Sequence, residues 1–303
     1  MIEASLIIAF YNKIDFLSLV FAGLERQTNK NFEVIIADDG SHEDVVVELK
    51  KLIDSVSFSV THVWHEDNGW RKNEILNKAV MASKSNYLIF IDADCVPHRG
   101  FVEEHINNQE TNSILAGRRA NLSAEKTKAL NFEVVKNGFL EKSQLTLIVD
   151  GLKRKTQHAE KAIYIRNPLI RKVIQNREIK LLGCNFSMFK SDLLELNGFD
   201  ERYQAPTYGE DVDLELRALN MGMEIKSVNN MAIQYHLYHK KLDRENDNVL
   251  IYDENKTDPM QIKTALVKVG HDTKELKATQ DAYNSVHPCC KYRDDSTDDS
   301  KEH

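Results

Sequence analysis

The first hundred residues alternate between short apolar runs and amphipathic stretches, and this alternation constrains the fold more than any other feature. ASLIIAF (4–10), NFEVIIADDG (31–40), FSVTHVWH (58–65) and NYLIFID (86–92) read as strands. Between them, residues 13–28, 41–56 and 70–83 carry apolar side chains at helical spacing. Ser41 stands where an N-cap is expected, with acids in the first turn behind it. Strand–helix alternation with nearly continuous apolar strands predicts an α/β fold: a mostly parallel sheet with helices on both faces.

Sheets of this kind bind ligands at the carboxyl ends of their strands. Asp38 and Asp39, His65 to Asp67, and Asp92 and Asp94 all fall at those ends. Carboxylates at the end of a core strand are costly unless a positive group meets them. Asp92-x-Asp94 suits Mg²⁺ or Mn²⁺ bridging to a phosphate, since hard cations are held by one or two carboxylates plus substrate oxygens. The same acids could serve only as turn or cap residues. Asp38-Asp39-Gly40-Ser41 could be a turn, or two acceptors for a base N–H or a ribose hydroxyl.

The second half is less regular. Residues 118–180 hold fifteen Lys and Arg against six Asp and Glu, in a chain whose net charge is -7. Order returns at 179–203 and at YGEDVDLELRALNMG (208–222). There Glu210, Asp211, Asp213 and Glu215 open a helix; four acids exceed what capping requires, so one could act as a general base. IQYHLYHK (233–240) spaces His236 and His239 so that either could add a nitrogen ligand to the acidic site. The boundaries expected are a first half at 1–111, a second half at 112–240 with a basic insert at 118–180, and a polar extension at 241–303 with a disordered end. The acidic balance argues against nucleic-acid binding. No run reaches the roughly eighteen apolar residues of a membrane span. MIEASLIIAFYNK makes a poor signal peptide, and Cys95, Cys184, Cys289 and Cys290 form neither a disulfide framework nor a zinc spacing. A cytoplasmic protein is expected, with the basic 118–180 interval either a solvated face or a contact with the inner face of the membrane.

ASLIIAFYNKIDFLSLVFAGLERQTNKNFEVIIADDGS (4–41) and NGWRKNEILNKAVMASKSNYLIFIDADCVP (68–97) resemble the opening of the family-2 inverting glycosyltransferases, which have the GT-A fold. LLGCNFSMFKSDLLELNGFDERYQAPTYGEDVDLELRALNMG (181–222) is similar to a galactosyltransferase-type C-terminal segment. The resemblance spans about 4–240 and is poor over 118–178. It implies a Rossmann-like sheet continuous with an acceptor-binding half, and a role for each matching residue. Asp39 would bind the uracil N–H, and the Phe10-Tyr11 turn would pack on the nucleotide. Arg71 and Lys72 would sit by the base or diphosphate, and Asp92 would take the ribose. Asp94 and His236 would hold Mn²⁺ or Mg²⁺. Gly183 to Asn185 would line the sugar pocket. Asp211 would be the base, with Glu210 on the acceptor. Cys95 departs from the acid or amide that many members carry there. The implied reaction moves a hexosyl or N-acetylhexosaminyl group from a UDP-sugar to a glycan or lipid-linked acceptor in surface-polysaccharide or lipopolysaccharide synthesis. Two alternatives compete. A sugar-1-phosphate nucleotidyltransferase would want a Gly-rich loop after the first strand, which AFYNK lacks. A non-catalytic nucleotide-sugar-binding subunit would not need Asp94, Asp211 and His236 together.

Overall fold

The computed structural model describes residues 2–152, 156–204, 209–240, 257–273 and 275–286. The expected polar end, with Cys289 and Cys290, lies outside them. Residues Met1–Asp243 form one compact unit and Arg244–His303 a second.

The first unit opens with the expected series. Strands β1 (Ala4–Phe10), β2 (Phe32–Asp38), β3 (Ser59–Trp64) and β4 (Tyr87–Asp92) alternate with helices α1 (Ile14–Leu24), α2 (Glu43–Asp54) and α3 (Lys72–Ala82). Strand periodicity sends alternate residues to opposite faces. Leu6, Ile8, Val34, Ile36, Ile89 and Ile91 join Leu17, Val20 and Phe21 of α1 in one core. Ile7, Ile35, Ala37, Leu88 and Phe90 join Ile75, Ala79 and Val80 of α3 in the other. Both faces of β1, β2 and β4 are dry, which is why these strands read as unbroken apolar runs.

The chain continues through β5 (Cys95–Pro97), α4 (Phe101–Asn107), β6 (Ser113–Ala116) and β7 (Arg119–Asn121). Four short helices follow: α5 (Ala124–Lys128), α6 (Phe132–Lys136), α7 (Phe139–Lys142) and α8 (Gln144–Leu152). A 3₁₀ turn at Ala159–Ala162 leads to α9 (Pro168–Gln175), β8 (Asn185–Phe189), α10 (Lys190–Glu195), α11 (Glu210–Asn220), β9 (Glu224–Ser227) and β10 (Gln234–His236). The main sheet runs β3-β2-β1-β4-β8-β6-β9. β1 to β4 pair in parallel, whereas β8 runs antiparallel to both β4 and β6. A second sheet, β5-β10-β7, sets His236 opposite Cys95 and Asn121. The register levels the strand ends: Phe10 pairs with Asp38, Ala9 with Asp92 and Asp38 with Trp64.

Ser41 is not the cap of α2. That helix starts one residue later than expected, on His42, with no side-chain cap. The Ser41 hydroxyl instead accepts the Asn12 N–H at 2.8 Å, and its own N–H donates to Asp38 at 2.9 Å, tying the loop after β1 to the loop after β2. In the second unit, α12 (Pro259–Lys268) is capped by Asp258 and α13 (Gln280–Ser285) by Thr279.

Candidate active site

The levelled strand ends gather the polar residues. Asp39 Oδ2 accepts the Arg71 N–H at 2.9 Å, and Oδ1 meets His65 Nε2 at 2.8 Å. One carboxylate thus joins the ends of β2 and β3 to the start of α3. Burial raises its pKa, against the lowering effect of the Arg71 and His65 hydrogen bonds. Gly40, at φ +91°, allows this closeness: a Cβ there would lie 2.6 Å from the Asp67 Cα. The Tyr11 hydroxyl donates to Asp67 at 2.9 Å and leaves the ring half exposed at the mouth of the site. Arg71 reaches Glu74 at 3.4 Å. Phe10, in contrast, is 3 % exposed and packs in the core, so it offers no surface to a nucleotide.

The acids of β4 are met by cations of the protein itself. Lys72 Nζ lies 3.1 Å from Asp92 Oδ1. Burial pulls the Lys72 pKa down, but Asp92, Glu210 and Asp211 together push it well above the ordinary lysine value. Lys72 is therefore the shared cation between the β4 end and the α11 start.

Asp94 faces two imidazoles, with Oδ2 3.3 Å from His236 Nε2 and 3.0 Å from His239 Nε2. The Leu237 N–H donates to the Asp94 carbonyl at 2.8 Å and locks the two segments together. Burial would raise the Asp94 carboxyl, but both histidines and Arg119 hold it far below the usual carboxylate range. One ligand atom from each of Asp94, His236 and His239 falls within 4.8 Å of the others, the sole such cluster among the described residues. One carboxylate oxygen and two imidazole nitrogens fit a borderline cation such as Mn²⁺. His236 enters from a strand and His239 from just beyond it, so the choice between them, open in the sequence, becomes a pair.

At the third corner, Asp211 Oδ2 accepts the Gly183 N–H at 2.8 Å. A Cβ on Gly183 would sit 2.3 Å from Asp211 Oδ1, so glycine is what lets this loop reach the carboxylate. Glu210, beside it, is raised from 4.5 to about 7 by burial and by the Asp211 charge. Asn185 is fully buried. Its amide donates to the Arg118 and Ala232 carbonyls, and its oxygen faces His105 at 3.2 Å. It positions β8 rather than lining a sugar pocket.

Arg119 was not expected here. It shares a face of the second sheet with His236, and its guanidinium lies 3.4 Å from Cys184 Sγ and 3.8 Å from Cys95 Sγ. Asp94 and Asp92 add to the negative field around it. Within the basic 118–180 run, no sequence signal sets this arginine apart.

Glu210 gives a pH prediction. Its folded pKa lies above its unfolded one, so the native state keeps a proton that the unfolded chain has released. Stability should fall as pH rises from about 4.5 to about 7, by about 3 kcal/mol from this group. Glu210→Gln should remove that part of the slope in urea melts. Equal slopes in both proteins would refute it.

The comparisons follow this geometry. The model of glycosyl transferase family 2 matches residues 5–179, more than half of the chain. The chain belongs to glycosyl transferase family 2. A second model, described as N-terminal domain of galactosyltransferase, matches 171–240 and so covers Gly183, Asp211 and both histidines. The glycosyltransferase is 25 % identical to the chondroitin synthase of Escherichia coli over 270 residues, covering 80 % of this chain and 36 % of that one. It is 22 % identical to the hyaluronan synthase of Pasteurella multocida over 258 residues, covering 80 % of this chain and 25 % of that one. An uncharacterized glycosyltransferase of Haemophilus influenzae is 40 % identical over 90 residues, 30 % of this chain and 29 % of that one. The chain thus spans little more than a third of these relatives at most. The mannosyltransferase PcManGT from Pyrobaculum calidifontis, solved with GDP-Man and Mn²⁺, superposes with a TM-score of 0.51 at 15 % identity, over 79 % of this chain and 58 % of that one. The fold is GT-A. The family sets aside the nucleotidyltransferase and binding-subunit readings. No described helix is long and apolar enough to cross a membrane.

Proposed function

We propose that this glycosyltransferase is metal-dependent and inverting, and moves a hexosyl or N-acetylhexosaminyl group from a UDP-sugar to a hydroxyl of a glycan or lipid-linked acceptor. The observation that carries the reading is the Asp94–His236–His239 cluster beside the Lys72–Asp92 pair. The Mn²⁺ named for the mannosyltransferase supports a divalent ion here. When bound, the ion supplies positive charge against the charge that builds on the departing diphosphate.

The chain's own residues do the rest. Asp39 accepts from the base N–H, and the exposed Tyr11 ring packs against the nucleotide. Asp92 holds the ribose, with Lys72 keeping its carboxylate in place. With a cation held by Asp94, the Arg119 guanidinium would keep its two thiol neighbours and the field of Asp92, and the anionic oxygens of the donor would add countercharge. Asp211, held by the Gly183 N–H, takes the acceptor proton as that oxygen attacks C1 on the face opposite the diphosphate. One displacement inverts the anomeric centre. Glu210 contacts the acceptor.

Incubation with a panel of UDP-sugars and Mn²⁺ tests the reading. UDP release should be seen with at least one sugar and should stop on chelation. Release that persists with excess chelator would overturn the metal assignment.

A further inference from the structure

The basic interval does not behave as one surface. Its first part packs inward: Val135, Leu140 and Leu147 are buried in the core that also holds α1. Its second part carries α9, which is a well-defined helix. Pro168 occupies the first turn, and Asn167 Oδ1 accepts the Leu169 and Ile170 N–H groups at 3.0 and 3.3 Å. One side of the helix is anchored. Ile174 is buried, and Arg171 grips Glu104 with two bonds of 3.0 and 2.7 Å. Behind it, the Ile165 N–H donates to the Asn230 carbonyl at 2.9 Å.

The other side has no partner among the described residues. Leu169, Ile170 and Val173 are 76 %, 49 % and 58 % exposed. They sit at helical spacing and so form one ridge. Arg166, Lys172 and Arg177, all exposed, flank it along its length. The helix contains no acid, and Glu178 is the only one between 163 and 180. This local excess of cations stands in a chain of net charge -7, so it is not a property of the whole molecule. A convex apolar ridge within a frame of cations matches the boundary between acyl chains and anionic headgroups.

We propose that α9 docks this glycosyltransferase on an anionic lipid bilayer. Leu169, Ile170 and Val173 enter the acyl boundary, and Arg166, Lys172 and Arg177 meet the headgroup phosphates. Docking depends on neither the donor nor the metal.

Vesicle flotation at low salt tests it, using phosphatidylcholine with and without about a third phosphatidylglycerol. The full chain should float with the anionic vesicles and remain behind with the neutral ones. Replacing Leu169, Ile170 and Val173 together by Ser, or Arg166, Lys172 and Arg177 together by Gln, should each cut the bound fraction at least tenfold. Calorimetric UDP binding with Mn²⁺ should be unchanged in both variants, which separates a docking defect from failure of the donor site or of folding. Leu169→Trp should show a blue shift in its added fluorescence with anionic vesicles alone. The proposal is overturned if the wild type ignores anionic vesicles, if it binds neutral ones equally, or if the apolar variant floats like wild type. A concentration-dependent dimer that the apolar variant abolishes would also overturn it and assign the ridge to a second copy of the chain.

Discussion

Asp211→Asn should lower kcat for sugar transfer by about 10²–10⁴-fold, the usual effect of removing a general base. The substitution keeps an oxygen for the Gly183 N–H that holds the residue in place at 2.8 Å, so the loop should stay where it is. What is lost is the ability to take a proton. Donor affinity should remain within a few-fold, because Asp39, Asp92 and the metal cluster are untouched. Glu210→Gln is the discriminating control. Its carboxyl, raised to about 7 by burial and the Asp211 charge, is poised to exchange a proton near neutrality at the head of α11. A near-normal Asp211→Asn enzyme beside a dead Glu210→Gln enzyme would transfer the base role to Glu210. Single-turnover kinetics would keep slow product release from hiding the effect.

Asp94→Ala should abolish the metal-dependent part of UDP binding. Losing even an outer partner of a metal site costs roughly 10–100-fold in affinity, and Asp94 is the sole carboxylate of its cluster. Titration calorimetry with UDP, with and without Mn²⁺, reads this directly: the two curves should coincide in the variant and differ in wild type. His236→Ala and His239→Ala should each weaken the metal response by comparable amounts, since their Nε2 atoms stand 3.3 and 3.0 Å from the same Asp94 oxygen. That departs from the sequence-based expectation that His236→Ala costs more than His239→Ala. A variant of Asp94 that still gains affinity on adding Mn²⁺ would move the ion elsewhere.

The parts of this molecule that could be read from the sequence are those in which a local pattern states a long-range fact. β1, β2 and β4 are buried on both faces, so each announces itself as an apolar run, and the acids at the ends of β2 and β4 stand out by contrast. The insert has no such signal. α5, α6 and α7 are five, five and four residues long, too short to complete two helical periods. Phe10 and Asn185 lay within matching segments, but a motif position does not reveal which way a side chain points. Phe10 turns to the core, and Asn185 spends its amide on two carbonyls. Arg119 stayed hidden because its importance comes from neighbours 24 and 65 residues away in sequence, the two thiols and the carboxylates beyond them.

The place of β8 has a consequence for how this chain is made. Residues 185–189 lie between β4 and β6, pairing Tyr87 with Phe189 and Ile91 with Asn185. During synthesis the parallel strands emerge first, yet the outer edge of β4 has no neighbour until nearly a hundred further residues have left the ribosome. Until then an apolar edge with free N–H and C=O groups is open to pairing with another nascent copy. Closing such a distant pair is slow, because the intervening chain must be ordered before the contact rewards it. The acidic surface, and the early arrival of α1 and α3 over the two faces, therefore matter most during this interval, when the enzyme is half born and its central seam is still open.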